Sequence, residues 1–503
     1  MEVLAAFAEG LQILANFQVW LLIGTGMLVG LTFGLMPGLS AVTAMAILLP
    51  FIFQMLPEHA LPLFMGVAAI VPTAGSITSV LLGVPGTGVN VATLIDGYPM
   101  TQKGEGSRAL GAALTASGMG GVIGVVFAIL MIPLLLPLVF AITSADMVFL
   151  ILMGLAFIVV LNSSSGTSLV KGLIAGSLGL LMSSMGLHVT TGLLRFNFGT
   201  IYLMDGLSLI PVVLGLFALP QMISLAAKGG SIAQTNKVIL STRGVVEGAK
   251  DVFRHWGLWL RCSIIGYLIG VIPGVGSATA TFVAYGQAKQ TSKHPEKFGT
   301  GTVEGVIAPE SCNNAKEGGA LLTTMALGIP GSAEMVLVLG AIMMVGITPG
   351  PQMLISKLPL AFSLLQVIFV GSILGAIFCF LMAPRLARIA TVPGRILFPI
   401  VGVVVFIGAF SRDERFLDLA LLLIFTVIGL AMMKYGFNRP AMLLGYILGD
   451  LFEKYLFQAI GTAGPLFFMR PISLSIIFII LALFLWTPVS NWLSNRSKGG
   501  AKA

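Results

Sequence analysis

The chain has 503 residues, a formal net charge of +8 and a mean hydropathy of +1.03, and it is 57% hydrophobic but only 9% charged. Soluble domains typically carry about 25% charged residues, so this composition excludes a surface that faces water on all sides. The basic residues are concentrated in a few loops, which is typical of a membrane-topology signal and not of nucleic-acid binding. We therefore predict a multi-pass protein of a lipid bilayer, with no nucleic acid among its partners.

We predict an all-α fold, because backbone groups in lipid must be paired within one segment and the apolar runs are too long for barrel strands. We expect about 10–12 transmembrane segments plus re-entrant hairpins. Residues 1–19 contain no Lys or Arg and are predicted to be an N-terminal amphipathic segment without the basic start of a signal peptide. The three cysteines and four scattered histidines predict neither a disulfide framework nor a metal site.

A Pro-Gly sequence in an apolar setting occurs twice. VGLTFGLMPGLSAVTA at 29–44 aligns without a gap with IGYLIGVIPGVGSATA at 265–280. Each stretch is predicted to be a hairpin that enters the membrane and returns to the same side, turning at 37–38 and at 273–274. Because Lys and Arg are absent beside the first stretch and frequent beside the second, we expect entry from the external and the cytoplasmic side, respectively.

A second motif is also duplicated. ITSVLLGVPGT at 77–87 matches LTTMALGIPGS at 322–332, which predicts broken helices at 85–86 and 330–331. Two pairs of breaks in opposite orientation indicate two inverted-topology repeats with discontinuous helices, as in secondary transporters. The alternative is that Pro and Gly kink ordinary transmembrane helices. The predicted division is 1–19, the N-terminal segment; 20–227, repeat 1; 228–257, a cytoplasmic linker; 258–463, repeat 2; and 464–503, a C-terminal helix and tail.

Small hydroxyl- and amide-bearing residues follow each break. A helix that begins inside the membrane exposes unpaired N–H groups and the positive end of its dipole, so it favours an anion there. The candidate substrate-binding residues at these positions are Ser40, Thr43, Thr87, Asn90, Ser277, Thr279 and Ser332. They predict a carboxylate site, and freed carbonyls at the same breaks could hold a cation. For any single Ser or Thr, close helix packing is the alternative.

Polar and charged residues inside predicted membrane segments are further candidates, since such residues are costly in lipid and usually functional. Asn313 and Asn314, in APESCNNAKEGGA at 308–320, are predicted to donate to a substrate carboxylate or to hold Na⁺ through their oxygens. The predicted cation ligands are Asp96, Glu310, Asn313 and Thr279.

Two charged residues in the predicted membrane segments, Asp96 and Lys316, have structural alternatives. Asp96, in LIDGYPM, could cap the helix that follows Gly97 instead of binding a cation. Lys316 could pair with Glu317 or with Glu310 as a structural bridge.

The order of the motifs resembles the tripartite tricarboxylate transporter family, specifically its large membrane subunit (TctA-like). The similarity extends over nearly the whole chain, from about residue 20 to about residue 470. The motifs that carry it are PGLSAVTA, SITSVLLGVPGTG, DGYPMTQKGEGSRALG, RFNFG, IPGVGSATATFVAYG, APESCNNAKEGGALLTTMALGIPGS and YGFNRPAMLLGYILGDLFE. At Cys312 and Gly83 the sequence differs from the residues that are most common in this family.

The resemblance implies a secondary carrier of the bacterial inner membrane that takes up citrate-like di- and tricarboxylates with Na⁺ or H⁺. It implies two protein partners, a small four-helix membrane subunit (TctB-like) and a periplasmic solute-binding protein (TctC-like). It also implies that the substrate site includes the backbone at the breaks. These positions are Pro37, Gly38, Gly86, Gly274 and Gly331. We expect alternating access, with an elevator motion favoured over a rocking motion, and no cofactor.

Two other classes of protein remain as alternatives. A passive organic-anion channel could use the same helix ends. An intramembrane enzyme would need a nucleophile–base pair or metal ligands at membrane depth, and the sequence contains no HExxH, GxGD, GxSxG or GxxxxGK[ST] motif. We therefore expect no enzymatic activity.

Overall fold

The computed structural model of the chain describes residues 2–163, 168–188, 191–228, 241–389 and 394–499. These residues are overwhelmingly helical, and the β structure among them is one antiparallel pair, β1 (Gly186–Leu187) with β2 (Leu194–Arg195). The predicted all-α class is confirmed. The α-helices of the first half are α1 (Glu2–Leu14), α2 (Phe17–Leu35), α3 (Ala41–Leu48), α4 (Pro57–Leu82), α5 (Val91–Gln102), α6 (Gly106–Ala141), α7 (Ser144–Ser163), α8 (Leu169–Ser183), α9 (Leu209–Val213) and α10 (Leu219–Lys228).

The second half continues the same architecture. Its α-helices are α11 (Thr242–Arg254), α12 (Trp256–Val271), α13 (Ser277–Thr291), α14 (Glu304–Leu327), α15 (Ala333–Met344), α16 (Pro351–Ser356), α17 (Leu358–Ile389), α18 (Gly394–Ser411), α19 (Phe416–Tyr435), α20 (Arg439–Ala463) and α21 (Pro471–Gly499). A π-helical turn, Leu214–Ala218, joins α9 to α10. Short 3₁₀ helices lie at Leu49–Ile52, Gly88–Asn90, Ile201–Leu203, Pro295–Lys297 and Gly464–Met469.

Within the described residues, six helical stretches are long and apolar enough to cross a membrane, or seven if a pair bent by 62° counts as one span. The chain is therefore a multi-pass membrane protein. Several shorter apolar helices, among them α3, α12 and α15, lie next to the helix breaks and cannot span a bilayer of about 30 Å alone. The predicted total of about 10–12 segments with re-entrant hairpins stays a prediction.

Each Pro-Gly sequence lies between two helices. Helices α2 and α3 are separated at 36–40, and α12 and α13 at 272–276, where Gly38 (φ +88°) and Gly274 (φ +74°) have left-handed backbones. Helices α4 and α14 end at Gly83 and Gly328, with φ of +68° and +69°. A left-handed residue ends a helix, and glycine adopts this conformation without a side-chain clash. The local sequence thus sets the position of all four breaks.

The two halves pack in the same way. A Cβ added at Gly30 in α2 would lie 3.0 Å from the Cα of Val67 in α4, and one added at Gly266 in α12 would lie 2.8 Å from the Cα of Cys312 in α14. The first sequence alignment pairs Gly30 with Gly266, and extending the second alignment upstream without a gap pairs Val67 with Cys312. Equivalent residues therefore make equivalent contacts, which supports an internal duplication. The opposite orientation of the two units in the bilayer stays a prediction.

Helices α4 and α14 form the centre of the protein, and nearly all of their residues are buried. Each is crossed by the long helix that follows the broken helices of the other half: α6 crosses α14, and α17 crosses α4. Small residues allow this, since a Cβ at Gly371 in α17 would already lie 2.8 Å from the Cβ of Ala69. The breaks that end α4 and α14 are consequently held deep inside the helical assembly.

The segments outside the two units cover this centre. Helix α1 packs on α17, where the rings of Phe7 and Phe362 meet edge to face with centroids 5.6 Å apart. Helix α11, in the predicted linker at 228–257, packs on α6. The part of that linker at 229–240 lies outside the described residues. The division into domains stays a prediction.

Candidate functional site at the four helix breaks

The four breaks meet around one cavity of about 270 Å³. Its walls come from the segments after each break and from the buried helices α4 and α14 between them. The polar and charged lining residues are Ser40, Thr87, Ser277, Thr279, Lys316, Glu317, Ser332 and Glu334. Side chains that lie far apart in the sequence are thus brought to one place.

The lining is dominated by helix starts. Ser40 and Ser332 immediately precede α3 and α15, each with an extended backbone, and Gly276 precedes α13. Thr87 precedes the 3₁₀ turn that continues into α5. The first N–H groups of a helix have no partner within it and carry partial positive charge. Helix starts from both halves therefore surround the cavity with groups that favour an anion.

Three charged side chains also line the cavity. The ammonium of Lys316 donates to Oε1 of Glu317 and, at 2.8 Å, to Oε1 of Glu334. Ser277 Oγ donates to the same oxygen of Glu334 at 3.1 Å. The predicted pairing of Lys316 with Glu317 is confirmed, whereas the alternative pairing with Glu310 is wrong, because the two carboxylates beside the cavity hold the ammonium.

Sequence reasoning missed Glu334. It stands at the second position of α15, two residues after Ser332, and it is 13% exposed. An acidic residue in the first turn of a helix is common, so its position gave little reason to single it out. The signal available in the sequence was an acidic residue two positions after the end of a duplicated motif.

Glu310 forms a second polar cluster, wholly buried behind the cavity. Ser76 Oγ donates to its carboxylate at 2.7 Å, Thr93 Oγ1 at 2.5 Å and Asn90 Nδ2 at 3.3 Å. Thr87, which lines the cavity, donates to Asn90 Oδ1 at 2.6 Å. A continuous chain of hydrogen bonds therefore connects the cavity wall to Glu310.

The adjacent amides of Asn313 and Asn314 lie on α14 away from the cavity wall. Asn314 Nδ2 donates to Thr73 Oγ1 at 2.9 Å. Asn313 lies near Glu310 without completing a hydrogen bond, and its two amide atoms have no partner among the described residues. Both residues thus belong to the buried polar interior that adjoins the cavity.

Asp96 holds a loop in place. Its Oδ1 accepts the backbone N–H groups of Gly299 at 2.9 Å and Gly301 at 2.7 Å, and its Oδ2 accepts the hydroxyl of Tyr285 at 2.8 Å. The prediction that Asp96 caps a helix after Gly97 is wrong, because both residues lie inside α5. Its carboxylate instead ties α5 to the segment that leads into α14.

The predicted residues of the first hairpin tip are held from outside by Gln221 of α10. Its Nε2 donates to the carbonyl of Gly38 at 2.6 Å, and its Oε1 accepts the hydroxyl of Thr43. Pro37 is buried at this tip and does not line the cavity. Gln221 carries no motif signal, and only the tertiary contact identifies it.

The remaining predicted glycines pack closely against backbone. A Cβ at Gly86 would lie 2.5 Å from the Cα of Gly75, and one at Gly331 would lie 2.5 Å from the Cα of Ala320. Gly274 lines the cavity, and a Cβ there would lie 2.7 Å from the backbone nitrogen of Ile158. Glycine is required at these points by close approach of the chain.

Of the predicted substrate-binding residues, those that line the cavity are Ser40, Thr87, Gly274, Ser277, Thr279 and Ser332. Those that are buried outside the lining are Pro37, Thr43, Gly86, Asn90, Asn313, Asn314 and Gly331, and Gly38 is exposed at the tip of the first hairpin. The structure therefore separates a cavity wall from a supporting layer.

Broken helices whose starts surround a polar cavity inside a multi-pass helical assembly define the class of secondary-transporter-like membrane proteins. The family model described as "Tripartite tricarboxylate transporter TctA family" matches residues 20–444, and the chain belongs to this family. It is thus a membrane component of a tripartite tricarboxylate transporter, in a family of transporters and not of enzymes.

Two proteins of Agrobacterium vitis are similar to the chain. An uncharacterized 52.8 kDa protein in the TAR-I ttuC' 3' region is 30% identical over 484 residues, which is 95% of each chain. An uncharacterized protein in the TAR-II ttuC' 3' region is 34% identical over 226 residues, which is 43% of this chain and 93% of that protein. No solved structure matches the chain.

Proposed function

We propose that this chain imports citrate-like di- and tricarboxylates across the bacterial inner membrane, and that the substrate binds in the four-break cavity. The main support is that helix starts from both halves line this one cavity, at Ser40, Ser277 and Ser332 among others. Each helix start favours negative charge, and a di- or tricarboxylate presents several negative groups in a small volume. Hydroxyl side chains at the same positions can donate to carboxylate oxygens.

Alternating access is the proposed mode of transport. The hairpins α2–α3 and α12–α13, with α4–α5 and α14–α15, would form a mobile core that carries the substrate. The remaining helices would form a scaffold. Hairpin tips from both halves that face one cavity favour an elevator motion of this core over a rocking motion of the halves.

A cation, Na⁺ or H⁺, is proposed to accompany the carboxylate. Among the residues predicted to hold it, Thr279 lines the cavity, and Glu310 with Asn313 lies one hydrogen-bonded layer behind it. The oxygens of Asp96 already accept three backbone N–H groups and a hydroxyl, which makes Asp96 the weakest of these candidates.

Two partners follow from the tripartite organisation of the family. We propose that a periplasmic solute-binding protein (TctC-like) delivers the carboxylate and that a small four-helix membrane subunit (TctB-like) completes the membrane complex. The binding protein would then capture the carboxylate in the periplasm, and this chain would carry it across the membrane.

The test is uptake of labelled citrate into proteoliposomes that contain the chain and the small subunit, with and without the binding protein. We expect saturable uptake that needs the binding protein and rises with an inward gradient of Na⁺ or H⁺. Counterflow against unlabelled citrate should also be seen, because a carrier exchanges substrate across the bilayer.

The rival function, a passive organic-anion channel, gives a different result in the same vesicles. A channel would pass citrate as an electrical current without counterflow and without dependence on a cation gradient. That outcome would overturn the proposal of a coupled carrier.

A further inference from the structure

The cavity contains an excess of negative charge. Lys316 contributes one positive charge, and Glu317 and Glu334 contribute two negative charges, so the three side chains together carry −1 when ionised. No other ionisable side chain belongs to the described lining of the cavity. A site proposed to take up an anion therefore has its own uncompensated anionic group.

Two oxygens at this place have no hydrogen-bond partner among the described residues. They are Oε2 of Glu317 and Oγ of Ser332, in side chains that are 2% and 3% exposed. Buried polar atoms are nearly always bonded, so two open oxygens beside one cavity are candidates to bind a ligand there. A carboxylate oxygen can take up a proton, and oxygen atoms are the ligands that hard cations prefer.

The buried carboxylate of Glu310 provides a contrast. Three donors, from Ser76, Thr93 and Asn90, satisfy its oxygens, and it does not line the cavity. Glu317 has Lys316 on one oxygen and an open second oxygen. The charged groups that act on Glu317 are Lys316 of its own helix and Glu334 of α15.

We propose that Glu317 is the coupling residue: it takes up one monovalent cation, H⁺ or Na⁺, each time a carboxylate occupies the cavity. This inference rests on the proposed function and assigns its cation to a particular side chain. With the cation bound, the triad is neutral, and Lys316 and the helix starts attract the substrate. Without it, the extra negative charge repels the substrate and opposes movement of a half-loaded core.

The first test measures cation binding to the purified full-length chain in detergent, by the shift in melting temperature with Na⁺ and by its dependence on pH. Glu317→Gln is expected to abolish the cation-dependent shift. Glu304→Gln, the same change at the partly buried start of the same helix, should preserve it. Glu317→Asp should preserve it as well, because it keeps the carboxylate.

The second test uses labelled citrate with the same variants in proteoliposomes. A cation that assists substrate binding typically changes affinity by about 5–150-fold, and Glu317→Gln should reduce this dependence to about onefold while exchange of citrate persists. Concentrative uptake should be lost, because the cation gradient no longer drives it. Exchange should persist, because it needs no net movement of the cation.

The outcomes separate the two proposals. Cation binding that needs Glu317 in a chain that does not carry citrate would support this site and overturn the proposed substrate. Cation dependence that survives Glu317→Gln, or that disappears with Glu310→Gln alone, would overturn the assignment of coupling to Glu317.

Discussion

At the scale of single residues, the cavity combines two kinds of group. The hydroxyls of Ser40, Ser332 and Thr87 stand at helix starts, and Lys316 is held between two carboxylates. A buried ion cluster contributes little net stability, yet removing one partner leaves an uncompensated charge. The cluster therefore favours a role in binding over a role in stability.

Lys316→Met should leave the carboxylates of Glu317 and Glu334 buried without a counter-ion. Loss of one partner from a buried pair costs about 3–5 kcal/mol, so we expect a comparable loss in the free energy of unfolding, measured by denaturation in detergent. The double variant Lys316→Met with Glu317→Gln should recover part of the loss. Equal stability of the single variant and the wild type would contradict the ion cluster.

Ser332→Ala should weaken substrate binding without affecting the fold, because the hydroxyl has no partner within the described protein. A hydrogen bond to a charged group contributes about 1.5–3 kcal/mol, so the KM for citrate should rise about 10–100-fold at an unchanged melting temperature. Ser356→Ala, at an exposed hydroxyl of α16, is the matched control. An unchanged KM would remove Ser332 from the site.

At the scale of helices, glycines decide how closely the units pack and where their helices end. Two glycines four residues apart occur in each hairpin helix, Gly30 and Gly34 in α2 and Gly266 and Gly270 in α12. The first pair meets the backbone of α4, and the second pair meets the backbone of α14. This spacing is typical of close helix contacts in membranes. The duplicated motifs therefore encode packing as well as the breaks.

Gly270→Ala should disturb this packing, since the new Cβ would lie 2.9 Å from the Cα of Lys316. Overpacking costs about 1–3 kcal/mol, and we expect that loss in unfolding free energy together with reduced citrate uptake. Gly257→Ala, on the same helix with no neighbouring atom within 4 Å, should be neutral or slightly stabilising. Similar behaviour of the two variants would contradict the contact.

Helix α11 should dock on α6 in a pH-dependent way. Burial raises the pKa of Asp251, but hydrogen bonds from Arg108 and Arg254 outweigh it and hold the pKa below its usual value. A lowered pKa adds stability at neutral pH that is lost as pH falls through the folded-state value. Hydrogen exchange of 242–254, corrected for intrinsic rates, should therefore accelerate in acid.

The variant Asp251→Asn should show fast exchange in this helix at neutral pH and little further change in acid. Glu58→Gln, at an exposed carboxylate far along the chain, should keep the wild-type profile. A wild-type profile for Asp251→Asn would show that another group controls the docking.

At the scale of the whole molecule, the sequence allowed the breaks to be predicted because the signal is local. A Pro-Gly sequence favours the end of a helix, and the duplication made the pattern visible. Long-range partners carried no such signal. Gln221 at the first hairpin tip, Glu334 beside Lys316 and the loop held by Asp96 are defined by contacts across many residues. Composition and periodicity do not encode such contacts.

The absence of a sequence signal for long-range contacts also explains why only some of the predicted site residues line the cavity. Asn313 and Asn314 are polar and lie at membrane depth, which made them candidates, but the rotation of α14 turns them towards Glu310 and Thr73. Lys316 and Glu317, only a few residues further along, line the cavity. Which face of a buried helix meets a cavity depends on its neighbours, and an all-round buried helix gives no amphipathic pattern to read.

The central claim is that helix starts from both halves form one carboxylate site. Its most direct measurement is alkylation of Ala278→Cys, in the first turn of α13, with and without citrate, in vesicles labelled from each side. Ala420→Cys, which lines an apolar cleft between α8 and α19, is the control. We predict labelling of the cavity position from both sides and protection by citrate. Protection of the control position alone, or none at the cavity, would contradict the account.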